Sequence, residues 1–79
     1  MASRRVVGAA GRFEYVVEIE SVSFREDEPL FGARLVSVIE QATGLELGTR
    51  PPVVETYAAT PDDAVARLAA LADELLADR

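Results

Sequence analysis

The chain has 79 residues, 49% of them hydrophobic, with no cysteine and no histidine. That length fits one domain and is too short for two ordinary ones. The missing residue types exclude a disulfide, a thiolate metal site, a Ser-His-Asp triad and a Cys-His pair within the chain. The formal charge is −6, and all eight basic residues are arginine. Residues 1–12 hold Arg4, Arg5 and Arg12 and no acid, whereas 13–79 hold the other five arginines and all fourteen acids. An acidic body disfavours non-specific binding to nucleic acid or anionic lipid, although the short basic segment can touch a phosphate locally.

Met1 to Ala10 pairs arginines with a short apolar run, too short for the h-region of a signal peptide, and no run is long enough to span a bilayer. The expected location is the cytoplasm. Residues 1–11 read either as a flexible basic arm or as a strand, with Gly8-Ala9-Ala10-Gly11 turning it into a hairpin. Residues 12–79 read as a single α+β domain.

Phe13 to Phe24 is the clearest strand. Phe13, Tyr15, Val17 and Ile19 alternate with Glu14, Val16, Glu18 and Glu20, a period of two with one buried face. The phase then changes at Val22 and Phe24. Either a bulge near Glu20–Ser21 restores the face, or the strand's end is covered on its other side.

Arg25-Glu26-Asp27-Glu28 forms a charged loop, and Pro29 suits the first turn of a helix. Phe31, Leu35, Val38, Ile39 and Ala42 fall on one helical stripe, and Gly44 is a suitable residue just past a helix end. A helix is therefore expected over about 29–43. Leu45–Leu47 reads as a very short strand, Gly48 to Pro52 as a loop presenting Arg50, and Val53–Ala59 as a strand. Thr60-Pro61-Asp62-Asp63 is a strong helix start: an N-cap, a proline at the first position and two acids in the first turn. Ala64, Val65, Leu68, Leu71, Ala72, Leu75 and Leu76 continue as a stripe toward the end. The expected fold class is α+β, a small two-layer sandwich in the order β-α-(β)-β-α, with two helices on one face of a two- to three-stranded sheet.

No phosphate-binding or dinucleotide fingerprint is present, and there is no lysine for Schiff-base chemistry. No cofactor or metal is implied, and the chain leans away from enzymes. The leading expectation is a small non-catalytic interaction module, self-associating or an accessory subunit, whose partner is a second copy or another protein. Its first strand, longer than its mates, offers an edge, with Val16, Val22, Phe24, Arg12 and Arg25 at the contact. A second expectation is binding of nucleic acid or a phosphate ligand through Arg4, Arg5, Gly8, Gly11 and Arg12. A third is a small-molecule or catalytic site of carboxylates on the sheet: Glu18, Glu20 and Glu55 with Tyr57.

Overall fold

Phe13–Ser21, the strand with the cleanest alternation, stands in the interior of a four-stranded sheet rather than at its margin. The structure, a computed structural model, describes residues 2–23, 25–47 and 53–77. Four strands and one helix follow in chain order: β1 (Ala2–Val7), β2 (Phe13–Ser21), β3 (Phe31–Glu40), β4 (Glu55–Ala58) and α1 (Pro61–Leu75). The strands are antiparallel and hydrogen-bonded in sequence order, a meander closed by a helix on one face.

This corrects the expected β-α-(β)-β-α sandwich of two helices on a two- to three-stranded sheet. The segment expected as a first helix is β3, and the sheet has four strands covered by a single helix among the described residues. The physical reason is a β-bulge. Val17 pairs with Leu35 and Val16 with Ser37, so Val36 is an extra residue on β3. Before the bulge Ala33 and Leu35 face the core, and after it Val38 does. The step from Leu35 to Val38 is three residues, and an interrupted strand thereby imitates a helical stripe. Gly44, expected to end a helix, instead sits at φ +71° in a tight turn after β3. Its N–H donates to the Glu40 carbonyl at 2.8 Å. Leu45–Leu47 then runs back beside β3, with Leu47 N donating to Val38 O at 2.9 Å.

The ladder is regular at Glu20–Ser21, where a bulge was expected; its irregularity falls opposite Val16/Val17, and the extra residue belongs to β3. Val22 follows the even-numbered residues onto the face opposite the helix, half-buried beside Gly32. Phe24 and Arg50 lie outside the described residues.

The core lies between the sheet and α1. Phe13, Tyr15, Val17 and Ile19 of β2 meet Ala33, Leu35 and Val38 of β3, and α1 adds Ala64, Val65, Leu68, Ala69, Ala72 and the following Leu76. Leu71 and Leu75, placed on the buried stripe by spacing alone, are 38% and 50% exposed. α1 starts as its sequence dictates: Thr60 Oγ1 accepts from Asp63 N at 3.2 Å, with Pro61 at the first turn. Thr56 Oγ1 donates to Ala64 O at 2.6 Å, and Arg67 Nη1 donates to Tyr57 O at 2.9 Å, which seats the helix on β4.

Candidate functional site

Strand alternation sends one set of side chains into the core and the other to the outer face, away from α1. From β1 the outer set is Ser3, Arg5 and Val7, and from β2 it is Glu14, Val16, Glu18 and Glu20. β3 adds Gly32, Arg34, Ile39 and, at the bulge, both Val36 and Ser37, and β4 adds Glu55 and Tyr57. The antiparallel register arranges these in rows. Val7, Glu14 and Ile39 form one, Arg5, Val16 and Ser37 the next, then Ser3, Glu18, Arg34 and Glu55, and last Glu20, Gly32 and Tyr57.

The last two rows enclose a shallow cleft of about 110 Å³. Its floor is the backbone at Gly32 and Ala33, and its walls are Tyr57, Glu20, Glu55 and the Glu18–Arg34 pair. Gly32 makes room for it: a Cβ there would stand 3.1 Å from the Tyr57 ring and 3.5 Å from Val22. Arg34 Nη2 donates to Glu18 Oε2 at 2.5 Å, which neutralises one carboxylate. Tyr57 OH donates to Glu55 Oε2 at 3.2 Å. That hydrogen bond, then the Glu55 charge, then desolvation and the charge of Glu20, raise the Tyr57 phenol above its ordinary range. The cleft thus presents an aromatic ring and negative charge in excess over Arg34, a setting that favours a cation. Among the described residues no three carboxylates are grouped to hold a metal ion.

The structure brings Glu18, Glu20, Glu55 and Tyr57 to one place. The residues completing that place, Gly32 and Arg34, were hidden inside the segment read as helix. A glycine within the expected helix, followed by Val36, Val38 and Ile39, was the available signal, because it costs about 1 kcal/mol in a helix and the others favour strands.

The expected interface set is not gathered. Val16 and Val22 share the outer face at a distance along β2. Arg12 lies in the β1–β2 turn, its guanidinium 5.2 Å from the Phe13 ring centre, while Arg25 lies in the β2–β3 loop beside Asp27 at 3.7 Å and Glu28 at 3.8 Å. The strand chosen for edge pairing is itself bonded on both sides, to β1 and to β3, so it offers no free edge to a second copy.

Among the described residues the basic segment forms no open anion cradle either. Arg4 pairs with Asp62 of α1 at 2.7 Å. Gly8 N donates to Phe13 O at 3.0 Å and Gly11 N to Gly8 O at 2.9 Å, so both glycine N–H groups are used within the turn. The anion that meets the turn is this chain's own Asp73, whose Oδ2 accepts from Ala9 N at 2.7 Å.

Comparison with protein-family models, curated proteins and solved structures found no match for this chain. No helix among the described residues is long and apolar enough to cross a membrane.

Proposed function

We propose that this domain is a small non-catalytic protein-interaction module, acting by self-association or as an accessory subunit, with the outer face of its sheet as the contact surface. The observation that supports this is the one-sided sheet. α1 covers one face, while the other carries Val7 at 51%, Val36 at 41% and Tyr57 at 48% exposure. Half-buried Val16 and Ile39 stand in the adjoining rows. A sheet face destined only for water is polar at these positions, and apolar side chains rimmed by charge are the usual make-up of a contact surface. The chain also lacks histidine, cysteine and lysine, which removes the commonest acid–base and nucleophilic groups.

Light scattering coupled to size exclusion, across micromolar concentrations, tests the self-associating form. A dimer is expected to dissociate when Val36→Asp places a charge on the outer face, with the circular dichroism spectrum unchanged. A monomer at every concentration excludes self-association and leaves the accessory form.

The cleft over Gly32 favours a second reading, a site for a small cationic ligand between Tyr57 and the carboxylates of Glu20 and Glu55. Titration with free arginine or agmatine, followed by tyrosine fluorescence, separates the two. Saturable binding lost in Glu20→Gln and Glu55→Gln supports the cleft, and a flat response removes it.

A further inference from the structure

We infer that the free edge of β1 pairs with an extended acidic segment of another protein, which adds a fifth strand to the sheet. This rests on the reading of the domain as an interaction module and gives that module a partner class.

The two margins of the sheet differ. The margin beyond β3 is broken into two short pieces, Leu45–Leu47 and β4. On β4 the side chain of Arg67 caps the Tyr57 carbonyl, which faces away from β3. β1 is a continuous edge of six residues, all exposed except half-buried Val6. The direction of its backbone groups follows from one bond. Gly8 N donates to Phe13 O at 3.0 Å. In an antiparallel ladder, residues alternate between those that bond the neighbour and those that face away. Val6, Arg4 and Ala2 therefore bond β2, and the N–H and C=O groups of Val7, Arg5 and Ser3 point outward. Among the described residues no side chain hydrogen-bonds these outward groups. Such an edge is the template for strand addition.

Charge selects the occupant. β1 carries Arg4 and Arg5 and no acid; Arg5, on the outer side, is the guanidinium an incoming strand meets, while Arg4, on the helix side, is paired with Asp62 at 2.7 Å. Arg5 reaches Glu14 only at 4.0 Å, and its side chain is 65% exposed. A second copy is the poorer occupant. Two-fold antiparallel pairing through the outward residues sets Arg5 opposite Arg5 or, one step toward the N-terminus, Arg4 opposite Arg4; one step the other way sets Val6 opposite Val6 and Arg5 opposite Val7, which gives neither arginine an acid. Like charges directly opposite destabilise a ladder, and opposite charges stabilise it. Within the fold, Arg4 and Arg5 stand directly opposite Val17 and Val16 of β2, so β2 leaves both without an acid directly across the ladder.

The test uses the full chain, labelled with ¹⁵N, and a capped peptide of alternating valine and glutamate about seven residues long. A matched valine–lysine peptide is the control. The acidic peptide is expected to shift the amide signals of Ser3, Arg5 and Val7 and slow their hydrogen exchange, and to bind about tenfold more tightly than the control. Arg4→Glu with Arg5→Glu inverts that preference, and Arg5→Gln alone lowers it if the double variant fails to fold. Val7→Pro keeps both arginines but removes an outward N–H, and weakens binding about tenfold. Absence of binding, equal binding of both peptides, an unchanged affinity in Val7→Pro, or shifts confined to Val16, Val36 and Ile39 overturns the inference. If β1 stays silent while assembly responds to Val36→Asp, the edge inference fails and the interaction-module reading stands.

Discussion

The Tyr15 hydroxyl donates to Asp73 Oδ1 at 2.5 Å, which joins the middle of the sheet to the last turn of α1. The other oxygen of the same carboxylate accepts from Ala9 N in the β1–β2 turn at 2.7 Å. One side chain therefore fixes three elements: the hairpin that carries β1, the central strand and the helix. Tyr15 has no exposed surface, so its hydroxyl depends on this partner. The position of the β1 edge relative to the rest of the sheet depends on it as well.

Removal of the carboxylate leaves two donors without their acceptor, whereas removal of the hydroxyl leaves Asp73 still bonded to Ala9. Asp73→Ala is expected to lower the unfolding free energy by about 2 kcal/mol and Tyr15→Phe by about 1 kcal/mol. Urea denaturation of both variants checks the order. The double variant should cost less than the sum of the two, because the shared bond is counted in each single change.

Gly8 is buried because the Asp73 carboxylate lies where its side chain would be. A Cβ at this position would overlap Asp73 Oδ1. The carboxylate is held by two hydrogen bonds, so it cannot swing away without losing them. Gly8→Ala is expected to destabilise by about 1–3 kcal/mol, as overpacking does. In an Asp73→Ala background the same change should be close to neutral. Equal costs in both backgrounds would show that the obstruction comes from the turn backbone instead.

Tyr15 also gives the fold a signature in alkaline solution. Burial, then the hydrogen bond to Asp73 and its charge, raise the Tyr15 phenol well above its ordinary value of 10.0. The folded state thus holds the proton more tightly than the unfolded state. The stabilisation is complete below about pH 10, and it is lost as pH rises from there toward the folded value. Stability measured in urea should fall above about pH 10, and Tyr15→Phe should flatten the part of that slope that Tyr15 contributes. Ultraviolet absorbance of the folded chain should show one tyrosine, exposed Tyr57, ionising first, with Tyr15 following only as the chain unfolds.

What the sequence disclosed, and what it hid, follows from how local each signal is. The helix start at Thr60-Pro61-Asp62-Asp63 is a local device and reads directly. The alternation of Phe13–Ile19 likewise reads as a strand because each residue reports its own face. The glutamates at 18 and 20 could be placed together for the same reason, and Glu55 with Tyr57 by the next strand's alternation. β3 was not legible in this way. Its phase depends on a register with β2 that is set in three dimensions, and the bulge moves core-facing positions from odd to even numbers. The apolar residues 31, 35, 38 and 39 then fit a helix better than a strand. Composition carried the contrary signal, in Gly32 and the β-branched Val36, Val38 and Ile39, and spacing outweighed it. The place of β2 inside the sheet was lost by the same route, because without β3 as a neighbour the strand has an unmatched side.

The bulge itself makes the last prediction. Val36 is extra to the ladder, and its neighbours already hold the correct faces: Leu35 opposite Val17, Ser37 opposite Val16, Val38 opposite Tyr15. Deletion of Val36 lets Ser37 follow Leu35 directly, so β3 alternates without interruption and every inward residue stays inward. The chain is therefore expected to fold, losing about 1 kcal/mol for the changed local twist. Two substitutions in the same strand give the contrast. Val38 is 1% exposed, and Val38→Ala should cost about 2 kcal/mol through lost burial and the cavity left behind. Val36 is 41% exposed, and Val36→Ala should stay within about 0.5 kcal/mol of the parent. Thermal or urea unfolding of the three variants decides the matter. If the deletion abolishes folding while Val36→Ala does not, the bulge is needed to curve the sheet around α1, and regular alternation alone does not specify this fold.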